Sequence, residues 1–132
     1  MSENFDTEVV VDMLRQIAET LERVRRSFST VAQADDFYAS DAGREKLDAI
    51  SMKLLAVGEI LKRIDHQTNK TLFAKYDEID WTGFMGLRDV IAHDYYNINP
   101  VKIFAICSKE TEPLLQTVNR IIEELEKNHA DP

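Results

Sequence analysis

The sequence predicts an all-α protein, folded as an antiparallel four- to five-helix bundle. Three observations favour this fold class. Apolar residues recur every three or four positions over most of the chain, which is the spacing of one helix face. No stretch alternates between apolar and polar residues as a strand does, and no internal repeat or low-complexity segment occurs. A length of 132 residues with 44% hydrophobic content fits one domain over residues 1–132, with short flexible termini.

The first two predicted helices are long and have the same pattern. The first carries an apolar seam with steps of three and four, formed by Val10, Leu14, Ile17, Leu21, Val24, Phe28 and Val31. After a loop over residues 34–41, either Ser40 or Asp41 can cap the second helix. That helix repeats the spacing through Leu47, Ile50, Leu54, Val57, Leu61 and Ile64. We expect two such seams to pack as an antiparallel hairpin.

A shorter third helix follows a polar connection. Residues 65–75 predict an irregular segment, with a short helical turn at residues 71–75. Asp80 is a suitable N-cap, since its side chain can accept a hydrogen bond from the first turn. The third helix is therefore expected to begin at Trp81 and to end close to Tyr96.

Prolines and glycines mark where the helices start, break or approach one another. Residues 97–100 form a turn, and Pro100 can occupy the first position of a fourth helix. Pro113 predicts a break or kink in that helix. Glycine inside a helix costs about 1 kcal/mol relative to alanine. Gly58 and Gly86 therefore predict places where two helices come close together.

The charge balance limits the classes of function. Sixteen basic and twenty-four acidic side chains give a net charge of −8 and a pI near 4.8. This balance argues against a protein that coats nucleic acid non-specifically, because such proteins present a basic face. It is compatible with a local cationic pocket or with a basic partner.

Cysteine usage and hydropathy indicate a soluble cytoplasmic protein. No metal or cofactor is expected. Cys107 is the only cysteine, so no internal disulfide can form, and its apolar neighbours predict a buried hydrophobe rather than a nucleophile. The N-terminus lacks the features of a signal peptide, and no apolar run has membrane-spanning length. The three histidines, at 66, 93 and 129, have no metal-ligand spacing.

The candidate site is the segment Arg88-Asp89-Val90-Ile91-Ala92-His93-Asp94-Tyr95-Tyr96. Arginine stays charged and grips phosphate, and histidine can gain or lose a proton near neutral pH. On a regular helix Arg88 and His93 point about 140° apart. A compact site therefore requires either a loosened helix or two copies of the segment around a twofold axis. The small Ala92 permits a close approach, and we favour a homodimer.

Ordinary surface chemistry is the competing interpretation of these residues. Asp89 and His93 form an i, i+4 pair, and Arg88 can be a solvated ion-pair partner. Glu59, beside Gly58, either orients a site group or is a simple exposed helix residue. The basic residues Arg23, Arg25 and Arg26 favour a solvated polar face over a surface that guides RNA.

Several features together resemble one family. Residues 88–95 match R-x4-H-x-Y, and the pair Gly58-Glu59, Trp81 and the run 86–89 accompany it. The sequence resembles HEPN-domain proteins (higher eukaryotes and prokaryotes nucleotide-binding), specifically the HepT-like toxins, over roughly residues 9–126. The resemblance implies a helical homodimer that cleaves RNA without a metal in a cleft shared by both subunits.

The resemblance also implies roles for individual residues. His93 would act as general base or acid at the ribose 2′-hydroxyl or at the leaving 5′-oxygen, and Arg88 would hold the scissile phosphate. Asp89 would orient either of them, with Glu59 in support. The expected products carry a 2′,3′-cyclic phosphate.

Tyr95 has a separate implied role. In HepT-like systems the cognate antitoxin is a minimal nucleotidyltransferase that attaches AMP to the tyrosine of the motif. The added charge and bulk would keep an RNA phosphate out of the cleft. Tyr96 falls outside the pattern. Tyr95 can also be an interfacial aromatic that closes the end of the helix.

Two other functions fit the same residues. In the first, the chain is a non-catalytic subunit that binds a nucleotide or a nucleotidyltransferase, with Arg88 on a phosphate and Tyr95 or Trp81 stacked on a base. In the second, the motif is only a dimer contact. The sequence has no glycine-rich phosphate loop and no carboxylate triad, so the chain is not expected to transfer AMP itself.

Overall fold

A computed structural model of the chain describes residues 5–93 and 97–130, without the side chains of residues 92, 93, 129 and 130. These residues form six α-helices and two short 3-10 helices, and no strand occurs among them. The α-helices are α1 (Thr7–Phe28), α2 (Asp41–Gln67), α3 (Trp81–Met85), α4 (Leu87–His93), α5 (Pro100–Lys109) and α6 (Thr111–Ala130). The 3-10 helices are Ala34–Phe37 and Phe73–Lys75. The predicted all-α bundle is confirmed.

The two long helices form the predicted antiparallel hairpin. Near the start of α2, the Lys46 ammonium donates to the Thr30 hydroxyl just after the end of α1. Ser40, rather than Asp41, caps α2, and its hydroxyl accepts from the backbone N–H of Gly43 at 3.0 Å. Helix α1 ends at Phe28, so Val31 lies beyond the helix whose seam it was predicted to extend.

Helix α6 returns along α1 and completes the main core. Arg15 pairs with Glu126, whereas Arg25, later in α1, pairs with Glu112, earlier in α6. This reversed order makes the two helices antiparallel. The seams of α1, α2 and α6 bury side chains that are wholly inaccessible to solvent, and burial of this apolar surface is the main favourable term in folding. They include Leu14, Ile17, Leu21, Ile50, Leu54, Leu61, Ile64, Leu114 and Ile121.

The third predicted helix is divided into α3 and α4, which both pack against α2. Its start is as predicted, because the Asp80 carboxylate accepts from the N–H of Gly83 at 3.0 Å. The division lies at Gly86, whose N–H donates to the Thr82 carbonyl at 3.0 Å and ends α3.

A Cβ on Gly86 would meet only carbonyl oxygens of its own turn, at 3.4 and 3.6 Å. Gly86 therefore marks a helix break, and the prediction of a close helix contact there is wrong. The predicted helix end near Tyr96 lies outside the described residues.

The fourth predicted helix is also divided, but not at the proline. Asn99 caps α5, accepting from the N–H groups of Val101 and Lys102, and Pro100 occupies its first turn as predicted. The helix is interrupted at Glu110, between the end of α5 at Lys109 and the start of α6 at Thr111. Pro113 falls in the first turn of α6, where a missing N–H costs no helical hydrogen bond. The predicted break is therefore three residues too late.

One buried hydroxyl gives a stability prediction. Among the described residues, Ser51 Oγ is buried without a hydrogen-bond partner, whereas the buried Thr111 hydroxyl donates to the Cys107 carbonyl at 2.8 Å. Ser51→Ala should leave the free energy of unfolding unchanged or raise it by up to about 1 kcal/mol, because an unpaired polar group leaves the core. Thr111→Val, the control, should lower it by about 1 kcal/mol. Urea denaturation measures both, and a loss above about 1 kcal/mol for Ser51→Ala would contradict the assignment.

Candidate functional site

The position of the site depends on a close approach of α3 to α2 at Gly58. A Cβ on Gly58 would come within 3.0 Å of the backbone carbonyl oxygen of Phe84, a distance that real Cβ atoms do not adopt. Gly58 is buried, so only glycine lets α3 lie this near the α2 backbone. The predicted close contact is confirmed at this glycine. It brings the next residue of α2, Glu59, within reach of the start of α4.

Arg88 and Glu59 form an ion pair between α4 and α2. The Arg88 Nε lies 2.9 Å from Glu59 Oε1, with the two side chains 57% and 33% exposed. At this exposure such a pair contributes about 0–1 kcal/mol, so it adds little to stability. Its effect is geometric, because the carboxylate holds the guanidinium through Nε. The two terminal nitrogens remain available for an anion.

Arg88 and His93 lie near the two ends of α4. The backbone is α-helical from Leu87 to His93, so the helix is not loosened between them. Five residues of regular helix turn the two Cα–Cβ directions about 140° apart. The His93 side chain lies outside the described residues, and so does its predicted pairing with Asp89, which is exposed. The modification candidate Tyr95 and its neighbour Tyr96 lie outside them as well.

A cleft opens on the opposite side of α4 from the Arg88–Glu59 pair. Its volume is about 370 Å³, and neither member of the pair lines it. Val90 does, because it follows Arg88 by two residues and points to the other side of the helix. The cleft is lined by Asp80, Thr82, Gly83, Phe84, Gly86, Leu87, Val90, Lys102, Ile106 and Glu110. The candidate site and the cleft are therefore separate surfaces.

Trp81 has a structural role at the start of α3. It is buried and stacks on Phe73, with ring centroids 4.1 Å apart and planes inclined by 13°. Its indole N–H donates to the Tyr76 carbonyl at 2.6 Å. Because both the ring face and the N–H are engaged, the suggestion that Trp81 stacks on a nucleotide base is wrong.

Cys107 and the arginines of α1 agree with the structural interpretations given to them above. Cys107 is buried, and burial raises the pKa of its thiol to about 12, so it is not a thiolate at neutral pH. Arg23 pairs with Glu19 at 2.9 Å and Arg25 with Glu112 at 3.4 Å, as expected of a solvated ion-paired face. Within the described residues, no group of three or more His, Cys, Asp or Glu side chains could hold a metal ion. None of the helices in this part of the chain is long and apolar enough to cross a membrane.

Comparison with known proteins assigns the family. The model of the HepT-like ribonuclease family matches residues 13–121. A protein of Methanocaldococcus jannaschii, named as a gamma-glutamylcyclotransferase and inferred RNase, is 25% identical over 115 residues. The alignment covers 87% of this chain and 48% of the relative, so the chain spans about half the length of that protein. No solved structure is significantly similar. Because the family match covers most of the chain, including Arg88, His93 and Tyr95, the chain belongs to the HepT-like ribonuclease family.

Proposed function

We propose that the chain is a metal-independent endoribonuclease toxin of a toxin–antitoxin pair, acting as a homodimer. The observation that carries the proposal is the Arg88–Glu59 pair at 2.9 Å. It holds an exposed guanidinium at the start of the helix that ends at His93. A fixed cation at a surface fits a phosphodiester, and the family relationship favours RNA as the substrate.

The regular geometry of α4 supports a site shared by two copies. Because a regular helix sets the Cα–Cβ directions of positions 88 and 93 about 140° apart, the two groups converge best when the Arg88 of one subunit meets the partner's His93. Exposed apolar side chains on α4 and α5 give a second copy something to cover. Val90 is 36% exposed, and Val101 on α5 is 63% exposed.

The proposed reaction needs only side-chain chemistry. One His93 accepts the proton of the ribose 2′-hydroxyl, and the 2′-oxygen forms a bond to phosphorus. The bond from phosphorus to the 5′-oxygen breaks, and that oxygen takes up a proton from solvent. Arg88 stabilises the charge that grows on the non-bridging oxygens, and Asp89 orients the imidazole one turn away. The products are a 2′,3′-cyclic phosphate and a 5′-hydroxyl.

Glu59 acts as a positioning residue through Arg88. Glu59→Gln should lower kcat about two- to fivefold, the effect of losing an exposed ion pair of about 0.5–1 kcal/mol. KM should stay the same or fall, because a negative charge beside the RNA phosphate is removed. Steady-state cleavage kinetics separate the two constants. Glu19→Gln, which removes the partner of Arg23 on α1, is the control and should change neither. An unchanged kcat for Glu59→Gln would contradict the positioning role.

AMP on Tyr95 is the proposed means of silencing. The cognate minimal nucleotidyltransferase, incubated with ATP and this protein, should add the mass of one AMP to the peptide that contains Tyr95. RNA cleavage should then be lost, because the added phosphate repels and occludes RNA. Tyr95→Phe should keep cleaving RNA and escape inhibition. Modification of another residue, or full cleavage after modification of Tyr95, would contradict this proposal.

The test of the proposed activity must separate it from nucleotide binding alone. The purified protein is incubated with labelled single-stranded RNA, and nucleotide binding is measured in parallel by calorimetry with AMP and ATP. Cleavage that depends on His93 supports the proposal. Nucleotide binding that survives His93→Ala, without any cleavage, would instead identify a non-catalytic subunit. In that case Arg88 would contact the phosphate.

A further inference from the structure

We propose that the C-terminal end of α2 binds the phosphate backbone of single-stranded RNA beyond the reacting phosphate. The surface consists of Lys62, Arg63, His66 and Lys70 and is named the basic end of α2. This inference rests on the proposed RNA substrate. It adds a substrate-binding surface outside the R-x4-H-x-Y segment.

The charge of the chain is strongly segregated at this place. Residues 60–75 contain four basic side chains and one acidic side chain, a net charge of +3. The rest of the chain contains twelve basic and twenty-three acidic side chains, a net charge of −11. An acidic body repels RNA everywhere except where cations are concentrated. A polyanion that binds this protein is therefore directed to this segment.

Basic side chains continue the site that Arg88 begins. Arg63 and His66 follow Glu59 by four and seven residues, so all three lie on one face of α2, about 6 and 10 Å along its axis. Arg88 is joined to the same face through Glu59. A strand whose phosphate lies at Arg88 can therefore meet further basic side chains along α2.

The basic side chains at this end of α2 are available to a ligand. All four side chains are exposed. Within the described residues, neither Lys62, Arg63 nor His66 has a carboxylate at ion-pair distance. The arginines that do have such a partner are Arg15, Arg23, Arg25, Arg44, Arg88 and Arg120.

The one acidic side chain of the segment is directed elsewhere, and the turn after α2 brings Lys70 back. Asp65 is half-buried and points about 120° away from the direction of Glu59. Asn69 and Lys70 adopt positive φ angles of 52° and 62°, which reverse the chain after α2. The N–H of Lys70 then donates to the Asp65 carbonyl at 2.8 Å, so Lys70 stays beside the last turn of the helix.

RNA suits this surface better than an acidic protein segment does. The exposed residues at the basic end of α2 are charged or polar, without large apolar side chains to anchor a protein partner. A row of basic side chains without apolar neighbours binds a chain of repeated negative charges, and the phosphates of an RNA backbone supply such a chain. The row also begins at the residue proposed to hold the scissile phosphate.

The test measures binding apart from cleavage. The ligand is a labelled single-stranded 2′-O-methyl RNA, which keeps the phosphates but cannot attack through its 2′-oxygen. Lys62→Gln combined with Arg63→Gln removes two charges from the basic end of α2. Arg26→Gln combined with Lys127→Gln removes two charges from exposed positions on α1 and α6 and gives the same net charge. Circular dichroism and thermal melting verify that both variants fold.

The expected result is a change in salt dependence. Each lost phosphate contact on a single strand reduces the slope of log Kd against log salt by about 0.7, so the first double variant should lose about 1.4 of that slope and bind less tightly. The control should keep the wild-type slope. Equal slopes for the two variants would overturn the inference, as would no RNA binding by the wild type. Weaker binding of the nucleotidyltransferase with unchanged RNA binding would do so too, and would identify a protein-binding surface.

Failure of the proposed function gives a different result. If the wild type binds 2′-O-methyl RNA with the expected slope but leaves unmodified RNA intact, the proposed cleavage is wrong and the binding surface stands. If unmodified RNA is cleaved but the Lys62 and Arg63 variant has an unchanged slope, the cleavage stands and the surface is wrong.

Discussion

Replacing His93 by alanine is expected to slow RNA cleavage at least about a hundredfold, the usual contribution of a positioned general acid or base. Arg88→Ala should cost about a hundred- to a thousandfold, because the charge on the non-bridging oxygens loses its donor. Single-turnover cleavage of a labelled RNA measures both effects. Arg88→Lys should recover only part of the loss, since an ammonium cannot present the paired donors of a guanidinium. Arg26→Ala, an exposed arginine on α1, is the control and should cleave at the wild-type rate.

The same two variants test whether the site is shared between subunits. A mixture of Arg88→Ala and His93→Ala proteins, unfolded and refolded together, contains dimers with one intact Arg88 and one intact His93 from different chains. In a shared cleft this mixture should cleave RNA faster than either variant alone. Activity no higher than that of the parents would contradict the shared site, even if each single variant is inactive.

Replacing Gly58 by alanine is expected to lower the free energy of unfolding by about 1–3 kcal/mol, as overpacked cores do. The new methyl group would meet the Phe84 backbone carbonyl at a distance that atoms cannot keep, and a backbone cannot rotate away as a side chain can. Moving α3 should also shift Arg88 away from Glu59 and lower cleavage. Urea denaturation with an unchanged m-value measures the first effect, and cleavage kinetics the second.

Gly86 provides the matched control for Gly58. Its Cβ position is clear of other helices, with the nearest carbonyl at 3.4 Å, and its backbone is right-handed. Gly86→Ala should therefore leave the free energy of unfolding unchanged or raise it by up to about 1 kcal/mol through helix propensity. Equal losses for both substitutions would contradict the close approach of α3 to α2 as the cause.

Local chemistry explains why much of the fold could be predicted. The apolar spacing of α1 and α2 and the caps at Ser40 and Asp80 depend on residues only a few positions apart. The helix breaks at Gly86 and Glu110 could not be predicted from such local patterns. At Glu110 the strongest helix breaker, Pro113, lies inside the following helix, because the first turn of a helix accepts proline.

The candidate site was predictable as a set of residues but not as an arrangement. The spacing of Arg88 and His93 is local, and the helical backbone keeps the angle that this spacing implies. The contact between Arg88 and Glu59 depends on α3 approaching α2 at Gly58, which the glycine alone suggested without naming its partner. The sequence could not exclude that Trp81 stacks on a nucleotide base, because its burial against Phe73 is a tertiary contact.

The basic end of α2 forms no sequence motif and is visible only as a local excess of positive charge. A window of sixteen residues over the sequence reveals the net charge of +3 at residues 60–75 against an acidic background. The window does not show that Arg63 and His66 share the face of Glu59. That conclusion needed a continuous α2 through residue 67.

The chemical end groups left on RNA by the purified protein in the presence of EDTA test metal-independent cleavage by Arg88 and His93 most directly. Mass spectrometry of the fragments should find 2′,3′-cyclic phosphate and 5′-hydroxyl ends with the wild type, and intact RNA with His93→Ala. Fragments with 3′-hydroxyl and 5′-phosphate ends, or cleavage that appears only after a divalent metal is added, would contradict the mechanism.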